Sequence, residues 1–291
     1  MDAHGELKVI SLNIWNKSGP WPRRREFIRR ELDAWAPDLV GLQEVLRLEG
    51  RAGDAEGDQL AELNQRLGFH PAYAKATEFG GGLQFGNGLL SRFPIVEHTR
   101  IALPECDSGE QRSALYALVQ HPEGPLPVFV THLNWKLHHG AVRQRQISSL
   151  IDHVFRLAPL DERRLPPIVM GDFNAEPDSD EMRFMRGLTA LDGRTVYFTD
   201  CWIFAGQDGG RHAHEGAPGY TFDSRNPYAA LAHEPPRRID YIYVRGPDRK
   251  FRGEPLETRV VCNAADPTDP ELWPTDHFGV FCRLRMGAAE S

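Results

Sequence analysis

Several segments that read as strands end in the same few polar residue types, and these carry the chemistry. Asn13 ends the first, Glu44 the second, His132 a middle one, and Asp172 and Asn174 the next; Asp240 opens a late strand, and Asp276 and His277 precede the last. Apolar strands do not finish in carboxylates unless those groups sit at a rim, are paired, or hold a metal ion. Hard oxygen donors without a nearby thiol suit Mg²⁺ or Mn²⁺ rather than zinc. Two histidines with aspartates nearby supply an imidazole–carboxylate pair, which can activate water or protonate a leaving group.

Taken singly, each residue has a plainer reading. Asn13 could cap a turn, Glu44 could be a strand-end carboxylate, and His132 could be a hydrogen-bonded core histidine. Asp240 could pair with Arg237 or Arg238. The joint pattern favours one site assembled at the strand ends.

The elements that must position these residues follow from periodicity. Residues 7–14 alternate apolar and polar as a strand does, and Trp21-Pro22 opens a helix running to Trp35 with Pro in its first turn. On that helix Phe27, Ile28, Leu32 and Trp35 share a face. Arg23, Arg24, Arg25, Arg29 and Arg30 crowd the rest, which reads as a solvated basic face or, alternatively, a phosphate-binding rim. Residues 38–45 form a buried-strand run after Pro37, and a helix is expected over 59–67. Gly80-Gly81-Gly82 marks a turn before a strand at 88–91. Residues 115–119 and 127–133 pair across a turn, 141–157 has helical spacing, and 168–171 is a short strand cut off at Asp172. The Gly-, Pro- and His-rich stretch 205–237 reads as a long loop, followed by strands at 239–244 and 278–286. Strands separated by a few helices, with some direct strand–strand neighbours, indicate a mixed α/β domain.

Six motifs now stand in order: Ser11-Leu12-Asn13-Ile14-Trp15, Leu42-Gln43-Glu44-Val45, Thr131-His132-Leu133, Gly171-Asp172-Phe173-Asn174, Arg238-Ile239-Asp240-Tyr241 and Thr275-Asp276-His277. Together they resemble the successive signatures of the endonuclease/exonuclease/phosphatase superfamily, the deoxyribonuclease-like enzymes. The resemblance implies an α/β four-layer sandwich, two packed mixed β-sheets flanked by helices, as one domain over residues 1–291. It also implies a metal-dependent phosphoester hydrolase using Mg²⁺ or Mn²⁺. Glu44 would be the principal metal ligand, with Asn13 and Asp276 beside it. Asp172 would orient or deprotonate the attacking water, Asn174 would donate to a phosphate oxygen, and His132 would stabilise the transition state. His277, held by Asp240, would be the second imidazole, and either it or Asp172 the general base.

Other residues have weaker claims. Asn87 is a candidate for substrate or metal-shell contact. Trp135 and Lys136, with His138 and His139 beyond them, are candidates for a substrate loop, and Arg143 is a further substrate-binding candidate. His212, His214 and His233 raise a second metal site, against which their irregular spacing counts. Asn13-x-Trp15 departs from the Asn-x-Asp of the apurinic-site endonuclease branch and is more similar to the neutral sphingomyelinase branch. Arg143-x-x-Gln146, Gly219-Tyr220-Thr221 and Asn226-Pro227-Tyr228 are similar to that branch too.

Composition narrows the substrate. The 291 residues carry a net charge of -7, which disfavours a nucleic-acid polyanion without excluding a local basic cleft. Four widely spaced cysteines argue against both a zinc site and a disulfide framework, and fit thiols in a reducing compartment. The N-terminus reads as no signal peptide and no long apolar run is present, so a cytoplasmic protein and a monomer are expected. Three readings remain: a hydrolase of small-molecule or lipid-headgroup phosphoesters, a metal-dependent nuclease, and an inactive phosphate-binding scaffold. The intact carboxylates and imidazoles oppose the last.

Overall fold

A computed structural model describes residues 5–205 and 217–288. The chain begins β1 (Glu6–Asn13), α1 (Trp21–Trp35), β2 (Leu39–Leu48), α2 (Gln59–Asn64), β3 (His70–Phe79) and β4 (Leu83–Ser91). It continues β5 (Ile95–Ala102), β6 (Ser113–His121), β7 (Gly124–His132), α3 (Gly140–Leu157), β8 (Ile168–Asp172) and α4 (Asp180–Met185). The last part is β9 (Thr199–Asp200), α5 (Cys201–Phe204), α6 (Pro227–Ala230), β10 (Asp240–Val244), β11 (Pro255–Val261) and β12 (Gly279–Arg285).

These strands make two six-stranded mixed sheets, ordered β11-β12-β1-β2-β4-β3 and β5-β6-β7-β8-β10-β9. The sheets pack face to face through a core that includes Leu7, Val9, Val128, Val130, Met170 and Ile242. On the outer face of the first, α1 and α2 lay Ile28, Leu32, Leu60 and Leu63 against Ile10, Leu12 and Val40. On the outer face of the second, α3 and α4 lay Ile147, Leu150, Ile151 and Met182 against Phe129, Val169 and Tyr243. The result is the four-layer sandwich expected from the sequence. Burial on both faces explains why β8 is apolar from Ile168 to Gly171 instead of alternating.

Two parallel pairs, β1–β2 through α1 and β7–β8 through α3, deliver strand C-termini to one end of the sandwich. There the register sets His132 opposite Asp172 and Asp172 opposite Asp240, three site residues in a row across neighbouring strands. β12 runs antiparallel beside β1, so residues 275–277, which precede it, arrive at the end of β1. At Gly171, φ is 147° and an added Cβ would stand 1.9 Å from the Thr131 carbonyl oxygen, so the strand approach before Asp172 requires glycine.

Several expectations need correction. β3, β5 and β11 are strands that periodicity does not reveal: the β3 face is built from the small residues Ala72, Ala74 and Ala76, and β5 is almost wholly exposed. The Gly80–Gly82 turn closes a β3–β4 hairpin, so β4 begins at Leu83 rather than 88. α2 stops at Asn64, whose side chain bonds both the amide and the carbonyl of Phe69 and ends the helix. The 205–237 stretch is not wholly loop, since it contains α6. His212 and His214 lie outside the described residues, and the potential metal-holding group among the described residues does not include His233. The arginines of α1 are not a uniformly solvated face: Arg24 and Arg29 are buried, and Arg23 and Arg30 pair with Asp269 and Asp266.

Candidate active site

The eight residues expected at the principal site converge. Asp172, at the end of β8, is the hub: its Oδ2 accepts the Asn13 Nδ2–H at 3.0 Å and lies 3.4 Å from His132 Nε2 and 3.8 Å from His277 Nε2. Its Oδ1 accepts the backbone N–H of Asn174 at 2.9 Å, an Asx-type turn with Asn174 at a φ of 50°. Asn174 Nδ2 donates to the Leu133 carbonyl, tying this turn to the end of β7.

His277 Nδ1 lies 2.9 Å from Asp240 Oδ2. Arg238 is spent on Asp200 in a two-pronged buried pair and Arg237 on Glu234, so neither arginine takes Asp240 from the imidazole. The amides of Ile239 and Asp240 both donate to Thr221 Oγ1, and the Phe278 amide donates to the Thr221 carbonyl. Thr221 therefore holds the two strands that carry the Asp–His pair.

On the other wall, Glu44 sits in a β-bulge where the β2–β4 register shifts between Leu42 and Val45, at a φ of 62°. A glutamate in the left-handed region is strained, and such strain gathers where a side chain has been re-aimed for function. Asn13 Nδ2 and Asn16 Nδ2 approach the two oxygens of Glu44 at 3.4 and 2.9 Å. Asn13 Oδ1 accepts the Trp15 amide, which makes Asn13 a strut between Glu44 and Asp172. Asp276 is close enough to Glu44 to feel its charge.

The electrostatics separate the two imidazoles. Burial, Arg112 and His277 hold His132 well below the ordinary histidine range, so it is neutral. Burial alone would lower His277 too, but Asp240, Asp276 and Asp172 outweigh it and hold the imidazole well above that range. Asp172 is pushed up to about 6 by burial and by Asp240, against His277, Asn13 and the Asn174 amide. Asp276 is pushed up to about 7 by burial and by Glu44, against His277, Thr275 and Arg24. Asp172 and Asp276, raised first by burial and then by a neighbouring carboxylate, lie where positive charge is short, and a hard divalent cation supplies it. Glu44 and Asp276 thus offer carboxylate oxygens to a divalent cation, while Asn13 turns its amide nitrogen to Glu44 and its oxygen to the Trp15 amide. The carboxylate and imidazole atoms of Asp172, Asp240 and His277 also lie within 4.8 Å of one another and form a second group able to hold a cation.

The weaker candidates divide. Trp135 is 54% exposed and borders the site pocket. Lys136 instead turns its ammonium to the Ser108 carbonyl at 3.3 Å. Arg143 is buried beneath that loop, bonded to Glu181 and to the carbonyls of Asn134, Lys136 and Leu137, while Gln146 accepts the Asn134 amide. The Arg143-x-x-Gln146 spacing is one helical turn, and it pins the Trp135 loop rather than facing a substrate. Asn87 is buried, donates to the Ser113 carbonyl across the sheets, and lines neither cleft at this end of the molecule.

Two supports have roles that sequence reading does not assign. Arg24 donates to the carbonyls of Ile14, Trp15, Asn16, Ser18 and Pro274, tying the loop after β1 to the segment before Asp276. Its neighbours on α1 disguise it as one more surface arginine. Tyr228, on α6, stacks on Trp15 with ring centroids 4.9 Å apart, and Asn226 donates to the Thr275 carbonyl.

Residues 10–277 match the Endonuclease/Exonuclease/phosphatase family. The chain belongs to that family. The buried Asp172–Asp240–His277 group is of a kind that can hold a metal ion. Among curated relatives, protein angel homolog 1 of Homo sapiens is 28% identical over 209 residues, covering 66% of this chain and 29% of that protein. Nocturnin of Rattus norvegicus is 27% identical over 171 residues, covering 55% of this chain and 38% of that one. The chain thus spans about a third of the length of these relatives. A solved structure of D. rerio TDP2 complexed with a single-strand DNA product superposes with a TM-score of 0.72 at 20% identity, covering 97% of this chain and 99% of the other. That likeness establishes the shared fold. No helix among the described residues is long and apolar enough to cross a membrane.

Proposed function

We propose that this protein is a Mg²⁺- or Mn²⁺-dependent phosphodiesterase acting on a small-molecule or lipid-headgroup phosphoester by in-line attack of water. The observation that carries it is Asp172 Oδ2, set between a neutral and a protonated imidazole, 3.4 Å from His132 and 3.8 Å from His277.

Glu44, with Asp276 and Asn13 beside it, would hold the metal, which when bound supplies Lewis-acid stabilisation of a phosphoryl oxygen. Asp172 orients the attacking water and accepts its proton. His277 is kept protonated by Asp240 and donates to a non-bridging oxygen as charge builds there. Neutral His132 and the amide of Asn174 add preplaced donors on the same side. The Asp240 bond fixes which nitrogen of His277 faces the substrate.

Charge favours a small substrate over a long polyanion. Arg112 and Arg237 beside the clefts pair with Glu110 and Glu234, and the α1 arginines are bonded internally or to acids. A second reading, a nuclease, draws on the aromatic rim of Trp15, Tyr228, Phe79 and Trp135, on which bases could stack, and on the single-strand DNA product bound by the D. rerio structure.

The discriminating experiment is a Mg²⁺/Mn²⁺ activity panel of bis-p-nitrophenyl phosphate, p-nitrophenyl phosphate, sphingomyelin, and single- and double-stranded DNA. The expected result is diester cleavage with little DNA turnover at about 150 mM salt, where nonspecific DNA contacts weaken steeply. Efficient DNA cleavage at that salt, with no turnover of the small diesters, overturns the small-substrate reading.

A further inference from the structure

A second cleft of about 400 Å³ opens beside the catalytic pocket and is lined by Thr77, Phe79, Phe85, Glu110 and Arg112, among others. Asn16, Glu44 and Trp135 line both clefts, so the two spaces meet along that edge. Arg112 lines the second cleft and not the pocket that holds Asp172 and His277. It precedes β6 in the chain, and its side chain is only 5% exposed. One guanidinium nitrogen is bonded to Glu110, while Nε and Nη1 are shielded from solvent behind that pair and have no partner among the described residues.

Burying a guanidinium with donors unmet is costly, and such groups are kept where a ligand meets them. A planar guanidinium takes phosphate oxygens in pairs. Phe79, Phe85 and Trp135 give the same cleft flat apolar walls. Glu110 is the present anionic partner. It also accepts from Asn134 Nδ2, and Lys136 reaches the Ser108 carbonyl, so the segment before β6 is fastened to the Trp135 loop.

We propose that this cleft is a second anion subsite in which Arg112 binds a second phosphate group of the substrate, displacing the Glu110 carboxylate. The proposal rests on the phosphodiester reading above for its first phosphate, held at Asp172 and the metal. It narrows the substrate class to compounds that carry another phosphate close to the scissile one. Arg112 is then a specificity-determining residue, and Glu110 a place-holder that a substrate must outcompete.

Inorganic pyrophosphate and orthophosphate, titrated calorimetrically into the full chain in one Mg²⁺ buffer, test this directly. Pyrophosphate is expected to bind at least about tenfold more tightly than orthophosphate, and Arg112→Gln to abolish that difference. Glu110→Gln, which leaves the guanidinium in place, is expected to tighten pyrophosphate several-fold, and it decides the matter if Arg112→Gln does not fold. Equal affinity for the two anions in the unmodified protein overturns the proposal, as does a Glu110→Gln protein with unchanged pyrophosphate affinity. Should no diester be cleaved in the activity panel, the hydrolase reading fails, while the pyrophosphate titration still decides the role of Arg112.

Discussion

His277 Nδ1 stands 2.9 Å from Asp240 Oδ2, and its other ring nitrogen faces Asp172 Oδ2 at 3.8 Å, so one imidazole bridges two buried carboxylates from neighbouring strands. Removing the bridge should act on turnover. His277→Ala is expected to lower kcat by roughly a hundredfold or more, the usual scale for a positioned acid–base group. Asp240→Asn should also lower kcat and leave the Mg²⁺ half-saturation unchanged, because Asp240 is placed to hold the imidazole and not the ion. A rise in Mg²⁺ requirement in Asp240→Asn, matching that of Glu44→Gln, would instead move the ion to the Asp172–Asp240–His277 group. The measurement is kcat and Mg²⁺ half-saturation for each variant, with a melting curve to confirm folding.

Stability without metal should fall as pH rises. Asp172 and Asp276 titrate near 6 and 7 in the fold instead of at the ordinary 3.8, so the folded chain holds protons that the unfolded chain has released. Their contribution is complete below 3.8 and is lost as pH climbs through those folded values. His277, raised above its ordinary 6.5, acts in the same sense at higher pH. In EDTA the Tm is therefore expected to be several degrees lower at pH 8 than at pH 5, with Mg²⁺ restoring more at pH 8. A metal-free Tm that climbs between those pH values would contradict this.

Arg24 should matter for folding more than any other arginine of α1. Arg24→Met keeps most of the volume but strips five backbone carbonyls of their donor. A loss of about 3 kcal/mol or more is expected, the range for breaking a buried hydrogen-bonded network. Denaturant unfolding of Arg24→Met beside Arg23→Met makes the comparison, since Arg23 is exposed and makes one surface pair. Equal losses would show that the carbonyl contacts carry no weight.

Much of this was legible in the sequence because the residues in question obey simple rules. Asn13, His132 and Asp172 stand out as polar ends on apolar strands and Asp240 as a polar start, and buried strands tolerate such ends only at a functional rim; Glu44, read as a strand end, instead sits in a bulge inside β2, which runs on to Leu48. β3 and β5 were not legible: alanines at alternate positions carry little hydrophobic signal, and an exposed edge strand shows no alternation. Arg24 and Arg112 were hidden because a sequence states charge but not burial. The bulge that turns Glu44 into the site was likewise invisible, since it arises from β2–β4 pairing rather than from local residue choice. The spacing of Arg143 to Gln146 reads as a substrate motif, but in the fold it pins the Trp135 loop.

The central claim is that Glu44 and its neighbours hold a divalent ion without which the Asp172 site does not hydrolyse a phosphodiester. The most direct measurement is hydrolysis of bis-p-nitrophenyl phosphate after exhaustive chelation, followed by titration of Mg²⁺ into the unmodified protein and Glu44→Gln. No turnover is expected in EDTA, with full recovery on adding Mg²⁺ or Mn²⁺ and a Mg²⁺ half-saturation at least about tenfold higher for Glu44→Gln, as when a carboxylate ligand is lost. Full turnover after chelation, or an unchanged Mg²⁺ titration in a folded Glu44→Gln protein, would contradict it.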